Sequence, residues 1–262
     1  MLAANLVFLL AFVRPLLAAD ASPWDGGTHT AMRLIAGATM QRAGAEIRLA
    51  PGWKTYWRYP GDSGLPPRFD FSGSRNVKSV TVRWPAPERL TDESGTTIGY
   101  KHDVVFPLEI VPDDPAKPAT LRLKLDYAVC EKICVPADGK AELTLGAPGT
   151  FADRIAASEI SVPKPATLGG DGALAVRAAK REGARIIVDV AAPAGTHVEL
   201  FAEGPTPDWA LPVPARVSEA AGLQRFAFEL DGLPPDTKPE GATLTLTAVA
   251  GTQAIEVAFR LD

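Results

Sequence analysis

"TLRLKLDYAVCEKICVPADGKAELTL", residues 120–145, is the stretch from which the fold can be read. Successive side chains of a strand point to opposite faces. Leu121, Leu123, Leu125 and Tyr127 therefore share one face, and Arg122, Lys124 and Asp126 share the other. The return segment 140–145 repeats the pattern and turns Ala141, Leu143 and Leu145 inward. Together they read as an antiparallel pair with one buried face. Both cysteines of the chain, Cys130 and Cys134, fall in or beside the connection. An unbroken register places Cys130 on the polar face, away from the core, whereas a bulge would reverse it.

The rest of the chain follows the same grammar. Segments 45–50 (AEIRLA), 79–84 (SVTVRW) and 103–111 (DVVFPLEIV) carry β-formers between turn residues, and 23 Gly and 24 Pro punctuate the 262 residues. Short strands at this spacing predict an all-β sandwich and argue against a helix bundle. Residues 149–160 (GTFADRIAASEI) are the best helix candidate, and 161–172 (SVPKPATLGGDG) read as a Pro- and Gly-rich boundary. Beyond it, 184–192, 196–203, 224–232, 242–250 and 255–262 are again short strands. The predicted organisation is a first β domain over 22–148, a linker with a short helix over 149–170, and a second β-sandwich over 171–262. That second part holds no thiol and one histidine, His197, and reads as a spacer or docking module.

The N-terminus points to export. Leu2–Val13 is apolar apart from Asn5, and Ala19-Asp20-Ala21 offers a small-x-small cleavage pattern. The run is too short to span a bilayer and fits a signal peptide over 1–21. No later stretch reads as a transmembrane helix. A net charge of −4 without a basic run argues against nucleic acid as a partner. An exported chain meets an oxidising compartment, where two nearby thiols pair.

Three roles are open to that pair. As a staple, a loop of about five residues contributes only about 2 kcal/mol in the chain-entropy picture, against about 4.7 for about a hundred residues. As a metal clip, two thiolates suit a soft ion such as Cu(I), but zinc needs four ligands, and the three Met and three His are scattered. As a redox centre, an exposed dithiol with its resolving partner a few residues away meets the requirement for exchange. Lys132 between the cysteines would favour a thiolate and Glu131 would oppose it. "GDSG" at 61–64 has the form of a serine-protease nucleophile motif, but only His29 precedes Ser63 and only Asp62 lies between them. The triad order is missing, and the segment reads as a turn.

Three motifs in order carry a resemblance: "APGWKTYWRYPGDSGLPPRFDF" (50–71), "TIGYKHDVVFPLEI" (97–110) and "LDYAVCEKICVPADGKAELTL" (125–145). Over residues 28–146 the chain resembles the periplasmic N-terminal domain of the DsbD thiol:disulfide interchange family, most of all its ScsB-like branch. The resemblance implies an immunoglobulin-like fold and a redox-active pair at Cys130 and Cys134, with no other cofactor. It implies a protein-disulfide reductase that takes electrons from a membrane-embedded thiol reductase and passes them to periplasmic thioredoxin-like proteins, including those of cytochrome c biogenesis. Cys134, the second of the pair, is the implied contact with partner thiols.

Two features depart from the family. Its best-known members space their cysteines more widely. They also cover the pair with a cap loop in which an aromatic follows an acidic pair. Here Asp92-Glu93 is followed by Ser94, so a more exposed disulfide is expected unless Tyr100 substitutes. Tyr56 or Trp57, beside the hairpin in the family, are further candidate shields. His102 with Asp103 is a candidate proton relay, although a lone histidine beside a strand is more often surface. The chain ends at Asp262, before the transmembrane and thioredoxin-like domains of the family, as either a stand-alone relative or the dependant of a separate membrane protein. A non-catalytic binding module with a structural disulfide and a Cu(I)-binding copper-tolerance protein are the alternatives.

Overall fold

The structure, a computed structural model, describes residues 19–61, 63–92, 95–146, 149–220 and 222–262. The expected leader lies almost wholly outside the described residues. Asp20–Ser22 run beside the first long strand, where the Ala36 N–H donates to the Asp20 carbonyl at 2.7 Å.

The first half folds into two facing sheets. One contains β1 (Asp25–Gly26), β2 (Thr30–Ala36), β3 (Arg42–Leu49), β6 (Ser79–Val82) and β9 (Val104–Val111), in the order β1-β2-β3-β9-β6. The other is built from β4 (Lys54–Gly61), β5 (Arg68–Asp70), β7 (Glu88–Asp92), β8 (Gly95–Tyr100), β10 (Ala119–Cys130) and β11 (Cys134–Leu145), in the order β11-β10-β4-β8-β7. β5 joins as a second neighbour of β10: Val129 and Cys130 pair with β4, while Lys124–Asp126 pair with β5. The faces read from the sequence hold. Leu121, Leu123, Leu125, Tyr127, Ala141, Leu143 and Leu145 all enter one core with Met32, Leu34, Ile47, Trp57, Ile98 and Phe106. Phe69, Trp84 and Tyr100 set their rings edge-on to Phe106 at 5.0–5.6 Å, a favoured aromatic geometry.

β2 shows no alternation because both its faces are covered. Met32 and Leu34 face the core, and Ile35 packs with Val105 and with Ile155 of α1 (Ala152–Ser161). The predicted linker helix is thus a lid on the outer face of the first sheet. Gly44 lets it approach, since a Cβ there would lie 2.8–3.2 Å from Val105, Ile35 and Ile155. Beneath this helix, Glu46 is fully buried; Arg33 donates to its Oε2 at 2.7 Å, and Arg154 of α1 forms an ion pair with Oε1 without a well-directed hydrogen bond.

The second half is another pair of four-stranded sheets. One comprises β12 (Lys164–Ala166), β15 (Val198–Glu203), β18 (Thr243–Ala250) and β19 (Gln253–Arg260); the other comprises β13 (Ala175–Glu182), β14 (Arg185–Ala191), β16 (Ala215–Ala220) and β17 (Leu223–Glu229). Val176, Val188, Leu200, Phe226, Leu246 and Val257 fill the space between them. β12 lies within the stretch expected to be a free linker; its backbone pairs in parallel with β19 from Ile255 to Val257. Among the described residues, no helix is long and apolar enough to cross a membrane.

The two sandwiches are packed together. Phe201 of β15 reaches the core of the first domain beside Trp57, ring centres 5.9 Å apart. The Tyr59 hydroxyl donates to the Leu211 carbonyl, and Arg58 pairs with Glu203 and Glu256.

The buried Glu46 gives a test of the helix lid. Removing one partner of a buried pair leaves a poorly compensated charge, at a cost of about 3–5 kcal/mol. Arg33→Met should lose about 3 kcal/mol, the low end of that range because Arg154 remains. Urea unfolding measures it, and adding Glu46→Leu to the same chain should recover most of the loss.

Candidate functional site

The β10–β11 pairing runs without a slip from Ala119 opposite Leu145 to Cys130 opposite Cys134. The two cysteines are therefore a cross-strand pair closing the hairpin, and they form a disulfide. Residues 131–133 make the turn. β4 pins this end, with Lys54 opposite Cys130 and the Thr55 hydroxyl donating to the Ala128 carbonyl at 2.9 Å.

Register places Cys130 on the same face as Arg122, Lys124 and Asp126, as the alternation predicts, yet Cys130 is only 2% exposed. The expected exposure is corrected by a neighbour strand. Lys54, Tyr56 and Arg58 alternate onto the outer face of β4, and Tyr56 folds over the cysteines, forming a small buried cluster with Ala128 and Cys130. Its hydroxyl lies 2.6 Å from Cys130 Sγ and 3.2 Å from Cys134 Sγ. A disulfide sulfur carries no hydrogen, so the phenol is the donor. Gly64 backs the ring from the other side. Its φ is +127°, and a Cβ would sit 2.4 Å from the Tyr56 ring.

Cys134 is on the open side. It is exposed, together with Glu131, Lys132, Ile133 and Val135. Ile133 is 74% exposed, an unusual place for a large aliphatic side chain and one that enlarges the apolar surface around the accessible sulfur.

The tip of β7 supplies charge. Asp92 accepts from Lys54 Nζ at 2.5 Å, and the same ammonium donates to the Thr97 hydroxyl at 3.1 Å. Burial pushes the Tyr56 phenol above its ordinary pKa, and the Asp92 carboxylate pushes it further. Tyr56 is thus a protonated donor at neutral pH. Lys54 was not among the residues singled out from sequence, although it stands two positions before Tyr56 and so on the same face.

The other candidates are placed elsewhere. Trp57 alternates to the opposite side of β4 and enters the core, under the guanidinium of Arg58 at 4.3 Å. Tyr100 also turns inward, donating to the Pro85 carbonyl at 2.9 Å; burial holds its pKa well above the ordinary value. His102 is exposed in the β8–β9 turn, in a groove lined by Glu88, Tyr100, Asp103, Arg154 and Ser158, while Asp103 accepts from the Leu49 N–H at 2.9 Å. The structure does not bring this histidine to the sulfurs. Glu93 lies outside the described residues.

Comparison with known proteins follows the same lines. Residues 28–146 match the family described as "Thiol:disulfide interchange protein DsbD, N-terminal". The N-terminal periplasmic domain of ScsB from Proteus mirabilis superposes with a TM-score of 0.74 at 21% identity, over 92% of this chain and 98% of that one. At that identity the likeness shows the fold, and it extends across both sandwiches. A marsupial T cell receptor, at 10% identity and a TM-score of 0.23 over 92% of this chain and 98% of that one, carries no argument. A search of curated proteins found no match.

Packing behind the phenol is directly testable. Gly64→Ala should displace the Tyr56 ring and cost about 1–3 kcal/mol, as overpacking does. Urea unfolding checks the stability, and a changed near-ultraviolet circular dichroism band of the disulfide checks the displacement.

Three separate findings now converge: a hairpin disulfide, a phenol donating to its buried sulfur, and the family match. Residues 28–146 match the DsbD N-terminal family and adopt an immunoglobulin-like fold, and together with the Cys130–Cys134 disulfide they support a thiol:disulfide exchange module.

Proposed function

We propose that the Cys130–Cys134 pair relays electrons in the periplasm, from a membrane-embedded thiol reductase to thioredoxin-like proteins, as a protein-disulfide reductase whose only redox group is the disulfide itself. One observation carries the reading: the two sulfurs are unequal, Cys134 exposed and Cys130 buried under the Tyr56 hydroxyl.

That inequality gives the chemistry a direction along the S–S bond. A thiolate of the donor approaches the accessible Cys134 Sγ in line with the bond. The new intermolecular S–S bond forms as the Cys130–Cys134 bond breaks, and Cys130 leaves as a thiolate. The Tyr56 O–H, already within 2.6 Å of that sulfur, stabilises the departing charge. The donor's second thiol then attacks the mixed disulfide and releases Cys134, so that the donor is oxidised and the pair reduced. Delivery reverses the sequence. Cys134 thiolate attacks a disulfide of the acceptor, and Cys130 resolves the mixed disulfide, returning both electrons to the acceptor as a dithiol. Ile133 and Val135 give the incoming protein an apolar rim around the attacked sulfur, and Asp92 with Lys54 keeps the phenol in place.

A hydrogen bond to a charged group is worth about 1.5–3 kcal/mol, and each 1.36 kcal/mol is tenfold in rate. Tyr56→Phe should therefore slow reduction by a dithiol donor standing in for the membrane reductase by about ten- to a hundredfold, measured by stopped-flow fluorescence. Cys130→Ser should accumulate a mixed disulfide through Cys134, visible on non-reducing gels, and Cys134→Ser should not. A reduction potential well below about −300 mV against glutathione, with a pair inert to such a donor, would leave only a structural disulfide.

A further inference from the structure

The second sandwich meets the first at the two strands that carry the cover over the disulfide. On β4, the outward residues Lys54, Tyr56 and Arg58 make three different contacts. Lys54 holds Asp92, Tyr56 touches the sulfurs, and Arg58 donates to both carboxylate oxygens of Glu203 at 2.8 and 2.7 Å while also pairing with Glu256. On β7, three residues before Asp92, the main-chain N–H of Arg89 donates to Glu199 Oε2 at 3.1 Å. The Arg89 guanidinium donates to the Pro214 carbonyl at 2.7 Å and the Leu200 carbonyl at 3.4 Å. Glu199, Leu200 and Glu203 all belong to β15.

Both strands of the cover are thus held at one end by the second domain and touch the redox site at the other. Among the described residues β7 is the edge strand of its sheet and ladders to β8, which ladders in turn to β4. An edge strand is laddered on one side only, and the Asp92 carboxylate that ties its tip to Lys54 is 41% exposed, a setting in which ion pairs contribute little. β15 is in contact with the base of the same strand.

We propose that the second sandwich is the positioning element of the redox site. Glu199 acting on the Arg89 backbone, and Glu203 acting on Arg58, hold β7 and β4 so that Asp92 stays on Lys54 and the Tyr56 hydroxyl stays on Cys130 Sγ, and this sets how readily the disulfide is reduced. The proposal rests on the reading of Tyr56 as the donor to the leaving sulfur. These glutamates act through Tyr56 and not on the sulfurs.

The test uses the full chain and tris(2-carboxyethyl)phosphine, a small reductant that needs access but no docking surface. Glu199→Ala/Glu203→Ala should be reduced about three- to tenfold more slowly than the parent, because the Tyr56 hydroxyl is no longer held on the leaving sulfur, the effect of losing a hydrogen bond of ordinary strength. Glu199→Gln should keep the parental rate, because its amide oxygen still accepts the Arg89 N–H; a merely structural loss would not be rescued this way at an equal urea midpoint. Tyr56→Phe, which removes the donor to the leaving sulfur directly, is the control. An unchanged rate in the double variant beside a lowered rate in Tyr56→Phe overturns the proposal and leaves the role of Tyr56 intact. Unchanged rates in both overturn the role of Tyr56 and the proposal together. Should the double variant lower the urea midpoint, Glu199→Ala against Glu199→Gln makes the same comparison.

Discussion

Everything at the redox site hangs on the unbroken antiparallel register between β10 and β11. Twelve residues of one strand face twelve of the other, ending with Cys130 opposite Cys134. A slip of one residue would flip every side chain to the other face. The leucines would leave the core and the sulfurs would move to the far side of the sheet from Tyr56. The core therefore enforces the register, and the register delivers the cysteines. The energy that holds the disulfide in position comes from Leu121, Leu123, Leu125 and their neighbours, several residues from any chemistry.

The same hairpin has two neighbours along its length, and the change between them makes the site. Near its middle β10 pairs with β5, but at its end it pairs with β4. β4 brings Lys54 and Tyr56 over the outer face, where a surface strand would ordinarily be open to water. A polar face is thereby converted locally into a small buried pocket. Its occupant is a disulfide, whose inner sulfur is met by a phenol kept protonated through burial and the nearby Asp92 carboxylate. Cys134, one pair-width away at the edge of the sheet, keeps its contact with solvent. A symmetric covalent bond becomes chemically unsymmetrical because the two strands that bear it have different neighbours.

Much of this was legible in the residues. Alternation in 120–145 determined the hairpin, its inward face and the face on which Cys130 sits, because side chains on a strand have no other choice. The aromatic crowding in 50–71 marked Tyr56, and parity along the strand separates it from Trp57. The exposure of Cys130, the inward turn of Tyr100 and the distance of His102 from the chemistry were not legible. Each depends on which strand lies alongside and how a turn leaves it, and no local pattern encodes that. β2 and β12 were silent for a related reason. β2 is covered on both faces, so it has no period-two contrast to read, and β12 is three residues of Lys-Pro-Ala that become a strand only by pairing with β19.

By itself, then, the sequence determined an all-β chain with both cysteines at the end of a hairpin and a local motif set that resembles one family, since composition, parity and spacing are properties of neighbours along the chain. Only the tertiary structure decided which sulfur is accessible, which aromatic covers the other, and that a second sandwich grips the strands of that cover. Those are contacts between residues as far apart as Tyr56 and Cys130, or Arg89 and Glu199. They exist because packed faces select their partners by shape and charge in three dimensions.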